Sequence, residues 1–348
     1  MKLLVSALEP SSNLHLREVL KHTQDLELLG IFDKSLGDPH HDISEMAIMG
    51  VVDALKKLRW FFKVADEMVA LADQADKILL MDSSGFNLPL AKKLKKTYPD
   101  KEIIYYILPQ IWITRPNRVK KLEAYCDRLL GILPFEIDYY QHKAEYVGHP
   151  LLDEIDLTNR ERDAESSKNK TIAYLPGSRR GEIAKLMPIY RQLRDNLHVS
   201  RALLVVPSSF SEETIDKLYG ETEGFEIIRD THSALQQSDF AFICSGTATL
   251  EAALVGTPFV LNYIAKKIDY FIGTKFLGLK EIGLANIILK HHDGSKLHTE
   301  LIQESVTVEN LLHEYHHFDQ ELFAQKAKDL KSYLDHGSSQ AVAKIIME

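Results

Sequence analysis

Cysteine is almost missing from this chain: two occur in 348 residues, Cys126 and Cys244, far apart and without metal-ligand spacing. That excludes a disulfide framework and favours a reduced compartment, the cytosol. Long apolar runs are missing too, so no segment is expected to cross a bilayer, and any membrane contact is peripheral. The short run from Met1 to Leu8 is too brief for a secretory signal and reads as a buried first strand. No surplus of positive charge is present, since 42 basic residues face 50 acidic ones for a formal charge of -8. Nonspecific nucleic-acid binding is therefore not the main activity expected. Low-complexity tracts and short internal repeats are absent. So is any Asp-x-Asp pair that would seat a divalent ion on a diphosphate.

What the chain does have is alternation. Apolar runs at 3–7, 26–32, 77–81, 103–108, 128–133 and 144–147 are separated by amphipathic stretches, which predicts a parallel sheet with helices on both faces. A polar stretch at 157–170 reads as an interdomain linker. The pattern then restarts with strands expected at 171–175, 202–206, 225–228, 240–244 and 259–263, and helices from about Ile183, Ser211, Thr231 and Ala248. The expected fold class is α/β, with two Rossmann-like doubly wound domains facing a central cleft. The expected divisions are 1–165, 166–330 and a C-terminal helix at 331–348 that returns to the first domain or crosses to a partner subunit. Open sheets of this kind bind ligands at the carboxyl ends of their strands.

Two turns of the second half have the chemistry of a phosphate grip. In Cys244-Ser245-Gly246-Thr247-Ala248, small residues after a buried strand let backbone NH groups approach an anion at the positive end of a helix. Glu251, one turn in, can accept hydrogen bonds from sugar hydroxyls, as the acid of a dinucleotide fold does. In Pro176-Gly177-Ser178-Arg179-Arg180, Gly177 permits close backbone approach and an arginine supplies a fork for phosphate oxygens. Either turn alone is equally an ordinary capped helix start. Together they point to a diphosphate, as in a nucleotide sugar. In the first half, Asp82 ends a buried strand, where it either acts as a general base on a hydroxyl or caps the helix that follows. Glu9 has the same ambiguity.

The order of several motifs resembles lipid-A-disaccharide synthases, bacterial inverting glycosyltransferases with two Rossmann domains (GT-B). They are Glu45-Met46-Ala47-Ile48-Met49-Gly50, Met81-Asp82 with Phe86-Asn87, Ile111-Trp112, Arg118-Val119, Leu133-Pro134-Phe135-Glu136, Val147-Gly148-His149-Pro150, Leu175-Pro176-Gly177-Ser178-Arg179, Ser245-Gly246-Thr247-Ala248 with Leu250-Glu251, Leu284 with Asn286, and Glu300-Leu301-Ile302-Gln303. The resemblance implies transfer from UDP-2,3-diacylglucosamine to 2,3-diacylglucosamine 1-phosphate, giving a β-1,6 disaccharide 1-phosphate and UDP; the arginine and helix-start NH groups, with no Asp-x-Asp pair, predict that this needs no metal, and no cofactor is expected. It implies Asp82 as the base. It implies Gly177, Ser178, Arg179, Ser245, Gly246, Thr247, Glu251 and Asn286 on the UDP side, and Glu9, Ser11, Met49 and Asn87 on the acceptor side or in the cleft. The first loop departs from the family's Gly-Glu-Ala-Ser-Gly-Asp, reading Leu8-Glu9-Pro10-Ser11-Ser12-Asn13. Gly85 also stands where the family usually has a second aspartate. Rival readings are another GT-B enzyme, such as an epimerase or an N-acetylglucosaminyltransferase, and a noncatalytic nucleotide-sugar or lipid-binding relative.

A lipid substrate calls for an interfacial surface. From about Val51 to Ala70, the residues Val51, Ala54, Leu55, Leu58, Phe61, Phe62, Ala65 and Val69 share a helical stripe, with Trp60 and Val64 expected to point away among Lys56, Lys57, Arg59 and Lys63. The acyl or membrane contacts expected are Val52, Leu55, Leu58, Trp60, Phe61 and Phe62. They would face the anionic cytosolic leaflet of the inner membrane. Core packing, or a homodimer contact, is the plainer explanation of the same stripe. Residues 266–277 form a second basic-aromatic surface. The pairs His40-His41, His291-His292 and His316-His317 lack a third metal ligand at suitable spacing and read as surface histidines. His149 is expected to order a junction.

Overall fold

A computed structural model describes residues 1–43, 54–112, 117–155, 170–197, 199–265 and 281–348. Met49, Val52, the linker through residue 169 and the basic-aromatic segment 266–277 lie outside the described residues, as do the side chains of Leu55 and Leu58. The chain forms two compact units, Met1–Glu154 with Leu334–Glu348, and Ile155–Tyr333.

Unit 1 runs β1 (Lys2–Ala7), α1 (Pro10–Leu20), β2 (Glu27–Phe32), β3 (His41–Asp42), α2 (Ala54–Leu71), β4 (Lys77–Met81), α3 (Ser84–Thr97), β5 (Glu102–Tyr106), α4 (Arg118–Tyr125), β6 (Arg128–Gly131), β7 (Ala144–Tyr146) and α5 (Leu151–Glu154). Its seven strands are all parallel in the order β3-β2-β1-β4-β5-β6-β7. Unbroken apolar strands arise because both faces are buried. Leu4, Ile78, Leu80 and Ile103 pack with Val64 and Met68 of α2 on one side, while Leu3, Val5, Leu79 and Met81 pack with Leu16 and Val19 of α1 on the other. That second side is completed by the C-terminal helix, Ser339–Met347, through Val342, Ala343, Ile345 and Ile346. Tyr106 pairs its hydroxyl with Ser338, and Asp153 accepts from the Ser339 backbone NH at 2.8 Å and hydroxyl at 2.6 Å.

The stripe expected on α2 is rotated from the observed one. Val64, expected among the cations, is fully buried with Ala65 and Met68. Trp60 is half-buried against His41 and Phe61, with ring centroids 6.0 and 5.4 Å away, and Phe61 packs on Phe86 at 5.6 Å. Phe62 alone of this aromatic trio faces out, 55% exposed, with Lys93 5.6 Å above its ring. The aromatic pair pulls the apparent apolar phase toward Phe62, whereas the sheet selects the arc through Phe61, Val64, Ala65 and Met68.

Unit 2 repeats the plan with β8 (Thr171–Leu175), α6 (Arg180–Asn196), β9 (Arg201–Val205), α7 (Glu212–Tyr219), β10 (Glu226–Ile228), α8 (Thr231–Gln237), β11 (Phe240–Ile243), α9 (Ala248–Val255), β12 (Phe259–Tyr263), α10 (Leu284–His292), β13 (Glu300–Ile302), α11 (Val308–His317) and α12 (Gln320–Leu334). Six parallel strands take the order β10-β9-β8-β11-β12-β13. Tyr174, Tyr190, Phe240 and Phe242 fill its core, and the buried Tyr190 hydroxyl donates to Asn262 Oδ1 at 2.7 Å. The edge strands β3 and β13 are additions to the sequence expectation. Each is two or three half-buried residues long, too short for an apolar pattern.

Both sheets reverse their winding between the first strand and its neighbour, at β1/β4 and at β8/β11. Connections leave such a pair toward opposite faces and open a crevice at its carboxyl end. Glu9, Ser11, Asp82, Asn87, the turn from Gly177 to Arg179, the turn from Ser245 to Thr247, and Glu251 follow these four strands.

Candidate functional site

In unit 2, Leu175 pairs with Ile243, so the turns that follow β8 and β11 emerge side by side. Gly177, Ser178, Ser245, Gly246 and Thr247 together line a cavity of about 310 Å³, with Arg229 and Thr231 on its wall. Gly177 has φ 90°, and a Cβ there would lie 2.6 Å from Glu182 Oε2 and 3.2 Å from Cys244 Sγ. Only glycine therefore lets the turn lie this close. Gly246 has φ 138°. Among the described residues, the NH groups of Gly246, Thr247 and Ala248 donate to no backbone carbonyl, leaving the start of α9 with donors for an anion.

Arg179 stands at the N-cap of α6 with an 80% exposed side chain. Its Nη1 donates to Glu182 Oε1 at 2.9 Å, and its backbone NH to Oε2 at 3.4 Å. Glu182 is thus a candidate site residue that the motif reading missed; the Arg-x-x-Glu spacing at a helix start resembles a capping box and is the signal that reveals it. Arg229, a cation that the motif reading also missed, is braced by the Phe210 carbonyl at 2.7 Å and Glu212 at 2.7 Å. Glu251 lies in the first turn of α9 with His232 Nδ1 3.9 Å away. Like Arg179 and Glu251, Asn286 is not on this cavity's wall. It is fully buried on α10, where its amide donates to the His298 carbonyl at 2.9 Å and Glu300 at 2.8 Å, and its oxygen accepts from Leu297 NH at 2.8 Å. Its place is to fasten α10 to the approach of β13.

In unit 1, the residue after β4 is Asp82. Both Asp82 (φ 47°) and Ser83 (φ 36°) are left-handed, a conformation that costs non-glycine residues energy and persists where the surroundings enforce it. The enforcement is visible. Asp82 NH donates to the Tyr106 carbonyl at 3.0 Å, and its own carbonyl accepts from Tyr105 Oη and from Asn87 Nδ2 at 3.1 Å. Asn87 also donates to the Met81 carbonyl at 2.9 Å and accepts from Ser6 Oγ at 2.7 Å. Asn87 is fully buried, so it holds the Asp82 backbone rather than lining an open surface. Burial pushes the Asp82 carboxyl up, a backbone hydrogen bond from Ser83 opposes this, the Glu9 carboxylate raises it further and His15 lowers it. A raised pKa makes the carboxylate a stronger base.

Glu9 and Ser11 are exposed at the start of α1, and Glu9 Oε1 accepts from Ser83 Oγ at 3.3 Å. The first loop and the loop after β4 therefore meet, as a switch point requires. Asn13 takes over the last position of the altered first loop with a structural duty. Its Nδ2 donates to the Ala7 and Glu9 carbonyls, each at 2.9 Å, and its Oδ1 accepts from Asp33 NH at 2.7 Å. His149 is buried and its pKa is pushed down to about 3 by burial. It stays neutral, accepts from Leu151 NH at 3.3 Å and donates its backbone NH to the His336 carbonyl at 2.9 Å, tying α5 to the turn before the C-terminal helix.

The lipid-A-disaccharide synthetase family profile matches residues 3–345. The chain belongs to this family. It is 48% identical to the lipid-A-disaccharide synthase of Helicobacter acinonychis strain Sheeba, over 98% of this chain and 96% of that one. It is 44% identical to the lipid-A-disaccharide synthase of Campylobacter jejuni strain RM1221, over 99% of each. Family membership makes it an enzyme of the disaccharide-synthase type. Its fold is shared with glycosyltransferases of the GT-B kind. The spinosyn rhamnosyltransferase SpnG, solved with thymidine diphosphate, aligns with TM-score 0.60 and 12% identity over 100% of both chains. SnogD from Streptomyces nogalater aligns with TM-score 0.59 and 16% identity, over 99% of this chain and 98% of that one. Among the described residues, no helix is long and apolar enough to cross a membrane.

Proposed function

We propose that this protein joins UDP-2,3-diacylglucosamine to 2,3-diacylglucosamine 1-phosphate, forming the β-1,6-linked disaccharide 1-phosphate and UDP with inversion. The observation that carries the reading is the unit 2 cavity, where two turns far apart in sequence converge with glycine backbones and unused helix-start NH groups in a space suited to a diphosphate. Family membership supports the choice of sugars.

In this reading, Ser178, Ser245, Gly246 and Thr247 hold the departing diphosphate, and Arg179 turns from Glu182 to neutralise its charge. Glu251 accepts from ribose hydroxyls. The acceptor 6-hydroxyl attacks the anomeric carbon, the bond to the UDP oxygen breaks, and the hydroxyl proton passes to Asp82. The helix start and arginine supply positive potential for the leaving group, so the transfer step needs no divalent ion. Unit 1 thus serves the acceptor and unit 2 the donor.

The protein works in the cytosol as a peripheral membrane protein on the inner membrane's cytosolic face. The exposed Phe62, beside the exposed Arg59 and Lys63, supports a contact with anionic lipid at this end of α2. Incubation of pure protein with both lipid substrates, followed by mass analysis, tests the reading. The disaccharide 1-phosphate and UDP are expected; an epimerised single sugar, or no product from folded protein, would overturn it.

A further inference from the structure

His40 and His41 gain from the fold the third ligand that their sequence spacing does not offer. Edge strand β3 sets His41 opposite Ile31 of β2, and α2 brings Glu67 over it from 26 positions away in sequence. His41 Nε2 lies 2.8 Å from Glu67 Oε2, and His40 Nε2 lies 3.9 Å from the same oxygen. All three atoms fall within 4.8 Å of one another. The second carboxylate oxygen, Oε1, is occupied separately by Lys63 Nζ at 3.5 Å, which leaves Oε2 turned to the two rings.

We propose that His40, His41 and Glu67 form a binding site for a divalent transition ion of the zinc class, clamping the sheet edge at β3 to helix α2. In a tetrahedral zinc site, bonds of ~2.0–2.1 Å set ligand atoms roughly 3.3–3.4 Å apart. The observed separations straddle that spacing. Seating an ion therefore requires Glu67 and His41 to part by about half an ångström and His40 to swing in by roughly half to one and a half ångströms. His40 is 44% exposed and has room to do so. Two imidazoles and one carboxylate suit zinc, cobalt or nickel, whereas magnesium and calcium take oxygen ligands. Trp60, 6.0 Å from the His41 ring, walls one side with apolar surface. Among the described residues three ligands are in reach, and the fourth position of a tetrahedral site is left to water or another donor. The ion's work here is to fasten α2, and no step of sugar transfer passes through it.

The test uses full-length protein stripped with a chelator, desalted, and titrated with zinc chloride against a chromophoric competitor, with cobalt chloride as a spectroscopic probe. One zinc equivalent should bind, and cobalt should give the intense visible absorption of four-coordinate sites. His41→Ala and Glu67→Gln should each weaken zinc binding by about tenfold or more. The double variant His316→Ala, His317→Ala, at a histidine pair elsewhere, should bind like the parent. Should His41→Ala fail to fold by circular dichroism, His40→Ala replaces it as the ligand deletion. Absence of stoichiometric binding, or equal affinity in the parent and the ligand variants, would overturn the proposal.

Discussion

Replacing Glu136 with glutamine should make unit 1 more stable at alkaline pH while leaving it little changed in acid. Glu136 is 1% exposed in the Leu-Pro-Phe-Glu turn, and its Oε1 accepts from Ile132 NH at 2.6 Å and Leu133 NH at 2.9 Å. Burial pushes its carboxyl from 4.5 up to about 7, with those two NH groups opposing. The folded protein then keeps a proton over a window in which the unfolded chain has lost it, so stability falls as pH rises through that window. At ~1.4 kcal/mol per pH unit, the whole loss is about 3 kcal/mol, reached a little above pH 7. Glutamine keeps an oxygen for both NH groups and has no proton to lose. Both tryptophans, Trp60 and Trp112, lie in unit 1, and Trp112 packs on Phe135 at 5.3 Å, so tryptophan fluorescence during urea unfolding follows this unit. Plotted from pH 4 to 8.5, the curves for Glu136→Gln and the parent should coincide near the acid end and separate by about 3 kcal/mol at the alkaline end. Parallel curves would refute a buried, protonated Glu136.

Other outcomes follow from the same geometry. Gly177→Ala puts a methyl group against Glu182 Oε2 at φ 90°; it should cost ~1–3 kcal/mol and weaken UDP binding, both read by calorimetry. Arg179→Ala should cut kcat by roughly 10²-fold or more, as loss of a leaving-group donor does, with smaller change in acceptor KM. Phe62→Ser should reduce sedimentation with anionic vesicles, while Trp60→Ser should instead lower stability, because only Phe62 is exposed. Turnover should survive EDTA at temperatures well below unfolding; its abolition, with restoration by magnesium, would contradict metal-free stabilisation of the leaving group.

The strands were legible because parallel sheets buried on both faces must be written in continuous apolar letters, as in residues 77–81 and 171–175. The two turns of unit 2 were legible because a helix start after a buried strand needs small residues. Less legible were groups whose partners are remote in sequence. Tyr105 and Ser6 support the Asp82 loop through buried hydrogen bonds, and no periodicity marks such a pair. Asn87 and Asn286 were singled out only through the family resemblance, and both spend their amides inside the fold. The phase of α2 was misread for a different reason: two adjacent phenylalanines straddle the boundary between buried and exposed faces, and the sequence does not say which one the sheet takes.

Turnover by Asp82→Asn, measured alongside UDP affinity, tests the proposed division of labour most directly. The side chain keeps its size and loses its basicity, so kcat should fall by ~10²–10⁴-fold while UDP binds as tightly as to the parent. Full activity in the variant would remove Asp82 from the reaction and with it the account of proton transfer.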